Sequence, residues 1–316
     1  MPFLFPAEVL YQCIQCGKSC THWRVWVDPA EAAGKSLRLE ADGPHLRLLQ
    51  DEHGRCLELT AENLCRVHRD LGEDSKPRVC REFPFVLAET PDGVQVGLSF
   101  RCTAVFQGVG VAWSEHEPFL QSMLAQGIPR IGFEPAPIGS YMLEWTTYKE
   151  WETHWLRRLP DDLIGAVADT LGAALGVHPQ SLERMVYLLS ASAVGFLESE
   201  DNYGAAEVAA ALRADKEYKS TRRGWTAPLR NPFEGEMSEP ALRYLRHVIE
   251  RKSVWMGSSF LGRLLMLLTA QRMLLYYTRL EGFALAVDRL EGEWLLHRRN
   301  LEDVEKTFEE TLLQLV

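Results

Sequence analysis

Seven cysteines, Cys13, Cys16, Cys20, Cys56, Cys65, Cys80 and Cys102, all stand in the first third of a 316-residue chain, and the remaining two thirds has none. Three of them crowd into one short stretch, "YQCIQCGKSC", with the spacing C-x2-C-x3-C and Gly17 between the second and third. An odd number of thiols cannot all pair as disulfides, and an isolated cysteine usually behaves as a small buried hydrophobe. A run this dense calls for another reason. Thiolates two or three residues apart can turn toward one point about 2.3 Å from each sulfur while the loop backbone wraps it. The spacing therefore predicts a metal or cluster site.

The uneven placement also predicts the fold class. We expect a mainly α protein with an irregular cysteine-rich metal-binding domain over residues 1–112, carrying a small β-hairpin, and a helical domain over 113–316. In the first region "ADGP" and "DEHG" mark turns, and "FVLAETPDGVQVGLSFRC" reads as two strand-like runs separated by Pro91-Asp92-Gly93. Val94, Val96, Leu98 and Phe100 alternate with Gln95, Gly97 and Ser99, so period 2 turns Cys102 to the apolar face. In the second region we expect a short helix near Pro118–Gln126, then a stretch beginning as a strand in "YMLEWTTYKEWETHWLRRLP". A helix capped by Asp161 and ended by Gly176 follows, and another spans about 180–198. The last helix carries Leu301, Val304, Phe308, Leu312 and Leu315 on one face and is expected to be capped by Asn300. The charged, Gly- and Pro-bearing stretch 213–236 reads as a long loop, and its Lys216, Lys219, Arg222 and Arg223 as a solvated segment.

Charge and hydropathy exclude several functions. A net charge of −10 argues against nucleic acid or anionic lipid as a partner, since both need concentrated positive charge. The longest apolar run, Phe260 to Leu280, is interrupted by Arg263, Gln271, Arg272 and Arg279, so it reads as a buried helix and no membrane span is expected. The opening "MPFLFPAEVLYQC" has no Lys or Arg ahead of its short apolar run, which predicts no secretory signal and a cytoplasmic location.

The stretch "GRCLELTAENLCRVHRDLGEDSKPRVCREFPF" supplies Cys56, Cys65 and Cys80 in a frame of known type. With the opening trio it resembles the bacterial cysteine-cluster family described as "putative zinc- or iron-chelating". Thr21 stands where that family has a further cysteine adjacent to Cys20, and His68 where it usually has a tyrosine. Beside Cys65, His68 is chemically able to ligate metal, although a structural role is the expectation. The longer layout, in which a strand ending in Cys102 and a helical part follow the C-R-x-F-P-F motif, is similar to the flagellin lysine-N-methylase group. That resemblance implies an iron–sulfur cluster and transfer of methyl from S-adenosylmethionine to lysine side chains of a protein substrate. The competing expectation is a non-enzymatic zinc- or iron-chelating module for metal handling or adaptor use.

Thiolate-only ligation suits zinc and iron–sulfur clusters alike. Only one C-x2-C knuckle is present, and a tight trio with a remote cysteine is more typical of a cluster, such as 4Fe-4S, than of structural zinc. The trio lacks the C-x3-C-x2-C order of radical enzymes. We expect Cys13, Cys16, Cys20 and Cys80 as principal ligands and Cys56, Cys65 and Cys102 as a second set. Arg78 and Arg81, on either side of Cys80, are candidates to bind cluster sulfur or the carboxylate or phosphate of a cofactor, or to pair with nearby acids. "GVGVAW" lacks the strand–glycine–helix context of a dinucleotide site. Trp145, Tyr148, Trp151 and Trp155 share a helical face, which predicts core packing, and His154, His178, His247 and His297 have no nucleophile motif to partner.

Overall fold

A computed structural model describes residues 2–5, 9–21, 23–43, 45–125, 131–132, 135–198, 233, 235–295 and 301–316. The expected cap Asn300, His297 and the basic residues of the 213–236 loop lie outside the described residues. The protein is mainly α with small β-sheets, as its sequence leads one to expect. It divides into two compact units. One comprises Phe5–Val86 and Val96–Pro129 and holds every cysteine; the other comprises Met1–Leu4, Leu87–Gln95 and Arg130–Val316.

In the cysteine-bearing unit a three-stranded antiparallel sheet places His45–Leu48 between Trp26–Val27 and Leu39–Asp42. Its strands are too short to leave an alternation in the sequence, so this sheet was not legible there. Glu40 and Arg47 pair across it, and Val25, Val27, Ala32 and Leu48 form a small buried cluster beneath it. At "ADGP" Asp42 pairs with His45 and Gly43 has a positive φ, Pro44 lying outside the described residues, and the "DEHG" turn is present. Asp51 closes "DEHG" by accepting hydrogen bonds from the backbone of His53 and Arg55, both at 2.9 Å.

The expected hairpin is also present, with strands Phe85–Thr90 and Gly93–Leu98. The second strand is buried on both faces, so its alternation does not separate an inner from an outer side. Regular pairing stops at Leu98, and Ser99 donates instead to the Pro84 carbonyl at 2.8 Å. Cys102 is buried as expected, but it arrives through a turn and stands at the N-terminal cap of the short helix Thr103–Gln107. A helix over Glu117–Ala125 matches the expected short one.

The other unit is helical. A small hairpin, Ala136–Ile138 with Tyr141–Leu143, precedes the long helix Trp145–Leu175. The break expected in that helix is a kink. Pro160 lies inside it, and Asp162, not Asp161, takes a non-helical conformation and accepts a hydrogen bond from Gly165 N at 2.8 Å. Asp162 is the residue whose carboxylate can reach the amide three positions on, which is how a cap works. Gly176 ends the helix in the left-handed region, and Pro179–Glu198 follows.

Phe260–Glu281 is buried on every side from Phe260 to Ala270, and Pro179–Glu198, Phe283–Arg289 and Glu302–Leu313 pack around it. A helix apolar all round has nowhere else to go in water. Its arginine is neutralised: Arg263 meets Glu305 at 2.8 Å, and the same carboxylate accepts from Ser258 N and Oγ. Leu301, Val304, Phe308 and Leu312 face inward on the last helix, while Leu315 is half-buried. Tyr148 and Trp155 are fully buried and Trp145 and Trp151 nearly so, so the aromatic series is core. Among the described residues no helix is long and apolar enough to cross a membrane.

Candidate metal centre

Local geometry delivers each thiol separately. Gly17 sits at φ +72°, where a side chain would press on Asn63 and Leu59, and the chain turns there into the single turn Lys18–Cys20. Thr21 donates its hydroxyl to the Gly17 carbonyl at 3.1 Å, so at the position where the family resemblance expects another cysteine this chain has a residue that closes the turn. Cys56 follows the "DEHG" turn, pairs with Gln50, and donates its N–H to the Cys20 carbonyl at 2.8 Å. A second tight turn, in which Thr60 and Leu64 bond each other at 2.8 Å, folds Cys65 back against Leu59. Cys80 stands within the short helix Arg78–Glu82 and packs with Cys56 against the small apolar cluster.

Cys13 and Cys16 come from an exposed loop before Gly17, and the Cys16 thiol lies 3.4 Å from the Thr103 hydroxyl, next to Cys102. Ahead of them Leu10–Tyr11 pairs with Val111–Ala112, and Gln12 donates to the Val109 carbonyl at 3.1 Å. Of the two glycines of "GVGVAW", Gly108 ends the helix Thr103–Gln107 in the left-handed region, and Gly110 lets the Tyr11–Gln12 backbone approach closely.

All seven thiols line one cavity of about 500 Å³. None is in a disulfide. Among the described residues no three Cys, His, Asp or Glu side chains already close on a point as a finished metal shell. The donor set nonetheless fits a soft metal: seven sulfurs, mostly on turns and helix starts where a rotamer change redirects them, around a space large enough to hold an ion or a cluster. Cys20 feels Cys56 and Cys65 and, after them, Cys13; Cys80 feels Cys20, Cys56 and Cys65; and Cys102 feels Cys16 and Cys13.

The electrostatics are those of metal-free thiols. Burial pushes Cys20 up to about 11, with Cys56 and Cys65 adding to the shift and Lys76 opposing it. Burial also raises Cys80 and Cys56. Cys102 is raised by burial too, while the backbone N–H groups of Val105 and Ala104 favour its thiolate. Such N–H donors to sulfur are what tune thiolate metal sites.

Of the other expected residues, Arg81 lines the cavity and meets the exposed Asp74 at 3.4 Å. Arg78 is engaged by Glu82, and its backbone N–H by Glu31 at 2.5 Å. His68 is exposed on the helix Arg66–Leu71 and borders the cavity.

Sequence reasoning missed two groups on the wall. Glu58 is 3% exposed and holds the Cys56–Cys65 segment by accepting from Arg38 N at 2.7 Å and Arg66 Nε at 2.9 Å. Its only sequence signal is its place between two cysteines. His116 donates from Nε2 to the Tyr11 carbonyl at 2.9 Å, the tautomer that a carbonyl partner requires, and packs against Tyr11 and Phe85. Nothing in its spacing ties it to a cysteine.

Comparison with curated proteins and with solved structures found no match. Residues 12–102, a span that begins beside Cys13 and ends on Cys102, match the model of the CxxCxxCC family, "Putative zinc- or iron-chelating domain", and zinc or iron binding is the property that this match supports.

Proposed function

We propose that the cysteine-bearing unit is a thiolate metal centre holding an iron–sulfur cluster of the 4Fe-4S type in preference to a lone zinc ion. The observation that carries this reading is the arrangement of seven thiols around one cavity of about 500 Å³. Zinc needs its sulfurs at about 2.3 Å from a single point, which crowds them together. A cluster places several irons and sulfides between its cysteines and so suits ligands spread around a larger space. When bound, it supplies redox chemistry or, where one iron lacks a cysteine, a Lewis-acid position for an outside ligand.

The proposed reaction is methylation of lysine side chains on a protein substrate in the cytoplasm, with S-adenosylmethionine as donor. The lysine amine nitrogen gains the methyl carbon as the sulfonium C–S bond breaks, giving S-adenosylhomocysteine and a released proton. Two features support this reading: the layout resembling lysine-N-methylases, and Arg81 on the cavity wall, where a guanidinium can hold the donor's carboxylate.

Anaerobic purification with metal and acid-labile sulfide analysis tests the centre: iron with sulfide and broad visible absorption is expected, and a colourless zinc protein would refute the cluster. Calorimetric titration with S-adenosylmethionine tests the reaction. Binding that weakens about tenfold in Arg81→Ala is expected for a lost charge-assisted pair. No binding to the metal-loaded wild type would leave the non-enzymatic zinc- or iron-chelating module as the function.

A further inference from the structure

We infer that the seven thiols form two centres and that the opening trio is divided between them: Cys20, Cys56, Cys65 and Cys80 make a closed four-thiolate centre, and Cys13, Cys16 and Cys102 a three-thiolate centre with one position open. The inference rests on the reading of this unit as a metal centre and specifies its ligands.

The backbone makes the division. After Gly17 the chain is tied to the segment 55–65: the Cys20 carbonyl accepts from Cys56 N at 2.8 Å, and Thr21 bridges to Arg55. Leu59 in turn donates to the Cys56 carbonyl at 3.0 Å and bridges to Cys65. Cys80 joins this group because it and Cys56 pack on the same apolar cluster. Before Gly17 the chain is tied to the segment 102–112 instead, through the Leu10–Tyr11 pairing with Val111–Ala112, the Gln12 to Val109 bond at 3.1 Å, and the Cys16 thiol against Thr103. Gly17, in a backbone conformation that other residues adopt only under strain, is the pivot between the two attachments.

The charge effects of the thiols on one another follow the backbone in most cases. Cys80 feels Cys20, Cys56 and Cys65, and Cys102 feels Cys16 and Cys13, while Cys20 feels Cys56 and Cys65 ahead of Cys13, its neighbour across Gly17. The first set is half-buried, and four thiolates complete a tetrahedral ion or occupy every iron of a four-iron cluster. Lys76, on the cavity wall, offsets part of that charge. Nothing remains open there, so the closed centre is structural. The second set has two exposed thiols and one buried one, with Tyr11 and His116 on the same wall. Three thiolates leave one coordination position, and exposure lets an outside heteroatom reach it. The open centre is therefore where a small molecule or a substrate amine meets the metal.

The test is metal stoichiometry in the full chain. Wild type, Cys13→Ser/Cys16→Ser and Cys56→Ser/Cys80→Ser are loaded in parallel with cobalt alone and with iron plus sulfide, and bound metal, sulfide and charge-transfer absorption are counted per chain. Cys13→Ser/Cys16→Ser is expected to lose about half of the bound cobalt, to keep the charge-transfer band of a four-thiolate ion, and to melt close to wild type. Cys56→Ser/Cys80→Ser is expected to lose the other half and to melt lower. If the latter does not accumulate, Cys20→Ser carries the same comparison. Loss of all metal from folded Cys13→Ser/Cys16→Ser would overturn the division, because it would make the trio one set, and loss of none would remove those thiols from the ligands. A wild-type chain that takes up neither metal would instead defeat the underlying reading.

Discussion

The two units of this protein are stabilised in different ways. The helical unit is built around Phe260–Glu281, whose first eleven residues are buried on every side. It also buries three ion pairs: Arg251–Glu291 at 2.7 Å, Lys252–Glu152 at 2.6 Å and Arg263–Glu305 at 2.8 Å. Buried charges survive there because each is matched and the surrounding apolar packing is extensive. The cysteine-bearing unit holds just the ends of the hairpin strands, its other strands run two to four residues, and four residues make up the apolar cluster of its sheet. It buries apolar side chains as well, Val96, Leu98, Phe100, Val105 and Leu120 among them, but it also holds a cavity lined by seven thiols. One unit is organised around a long buried helix. The other is organised around the ligand set of a metal.

Removing the metal should break the comparison most completely. Structural zinc contributes about 10–16 kcal/mol to the folding of small thiolate domains, and that free energy disappears with the ion. A chelator added to metal-loaded protein should abolish near-UV signals from the cysteine-bearing unit, with Trp23 and Trp26 among their sources, while far-UV helicity persists with its own later melting step. An unchanged melting profile would mean that the cysteine-bearing unit is as self-sufficient as the helical one.

The opposite manipulation is Glu291→Ala. Both members of its pair with Arg251 are fully buried, and stranding the arginine should cost about 3–5 kcal/mol. Denaturant melts should show that loss in the helical transition with metal content unchanged. Leu264→Ala, in the fully buried part of the long helix, should cost about 2–5 kcal/mol in the same transition.

Gly17→Ala tests the pivot of the thiol loop. The added methyl meets the Asn63 and Leu59 side chains at a positive φ, and about 1–2 kcal/mol of destabilisation is expected. It should weaken metal uptake and leave the helical transition in place, which a competition titration against a coloured chelator would read directly.

The smallest effect is on pH. In the metal-free state burial holds Cys20 at about 11 against an ordinary 9.0, and Cys56 and Cys80 shift the same way. The folded state keeps these protons longer than the unfolded one, so their contribution is complete below about 9 and is lost as pH rises toward 11. Thermal melts of metal-free protein should drift down across that window. Metal-loaded protein, whose ligating thiolates have already lost their protons, should not follow.

The sequence was informative where the physics is local. Pro91-Asp92-Gly93 made a hairpin, Gly176 ended a helix, and the leucine and phenylalanine stripe of the last helix turned inward because spacing alone decides such features. Cys102 was expected inside and is inside, although a turn at Ser99 rather than strand alternation takes it there. Asp162 replaced Asp161 as the capping residue because a one-residue difference in carboxylate reach does not register in a pattern. The proposed grouping of the thiols is out of reach of the sequence for a stronger reason. Cys13, Cys16 and Cys20 are neighbours in sequence, but Gly17 sends the two sides of that stretch to partners some forty and ninety residues away. The same holds for His116, which reaches the cavity wall through Tyr11, a residue at the other end of the unit.

The central claim is that metal in this protein is held by cysteine sulfur in the first 102 residues. X-ray absorption at the metal edge of anaerobically purified full-length protein addresses it most directly. The account requires a first shell of sulfur at about 2.3 Å, with a second iron shell if a cluster is present. A first shell made only of oxygen or nitrogen would contradict it.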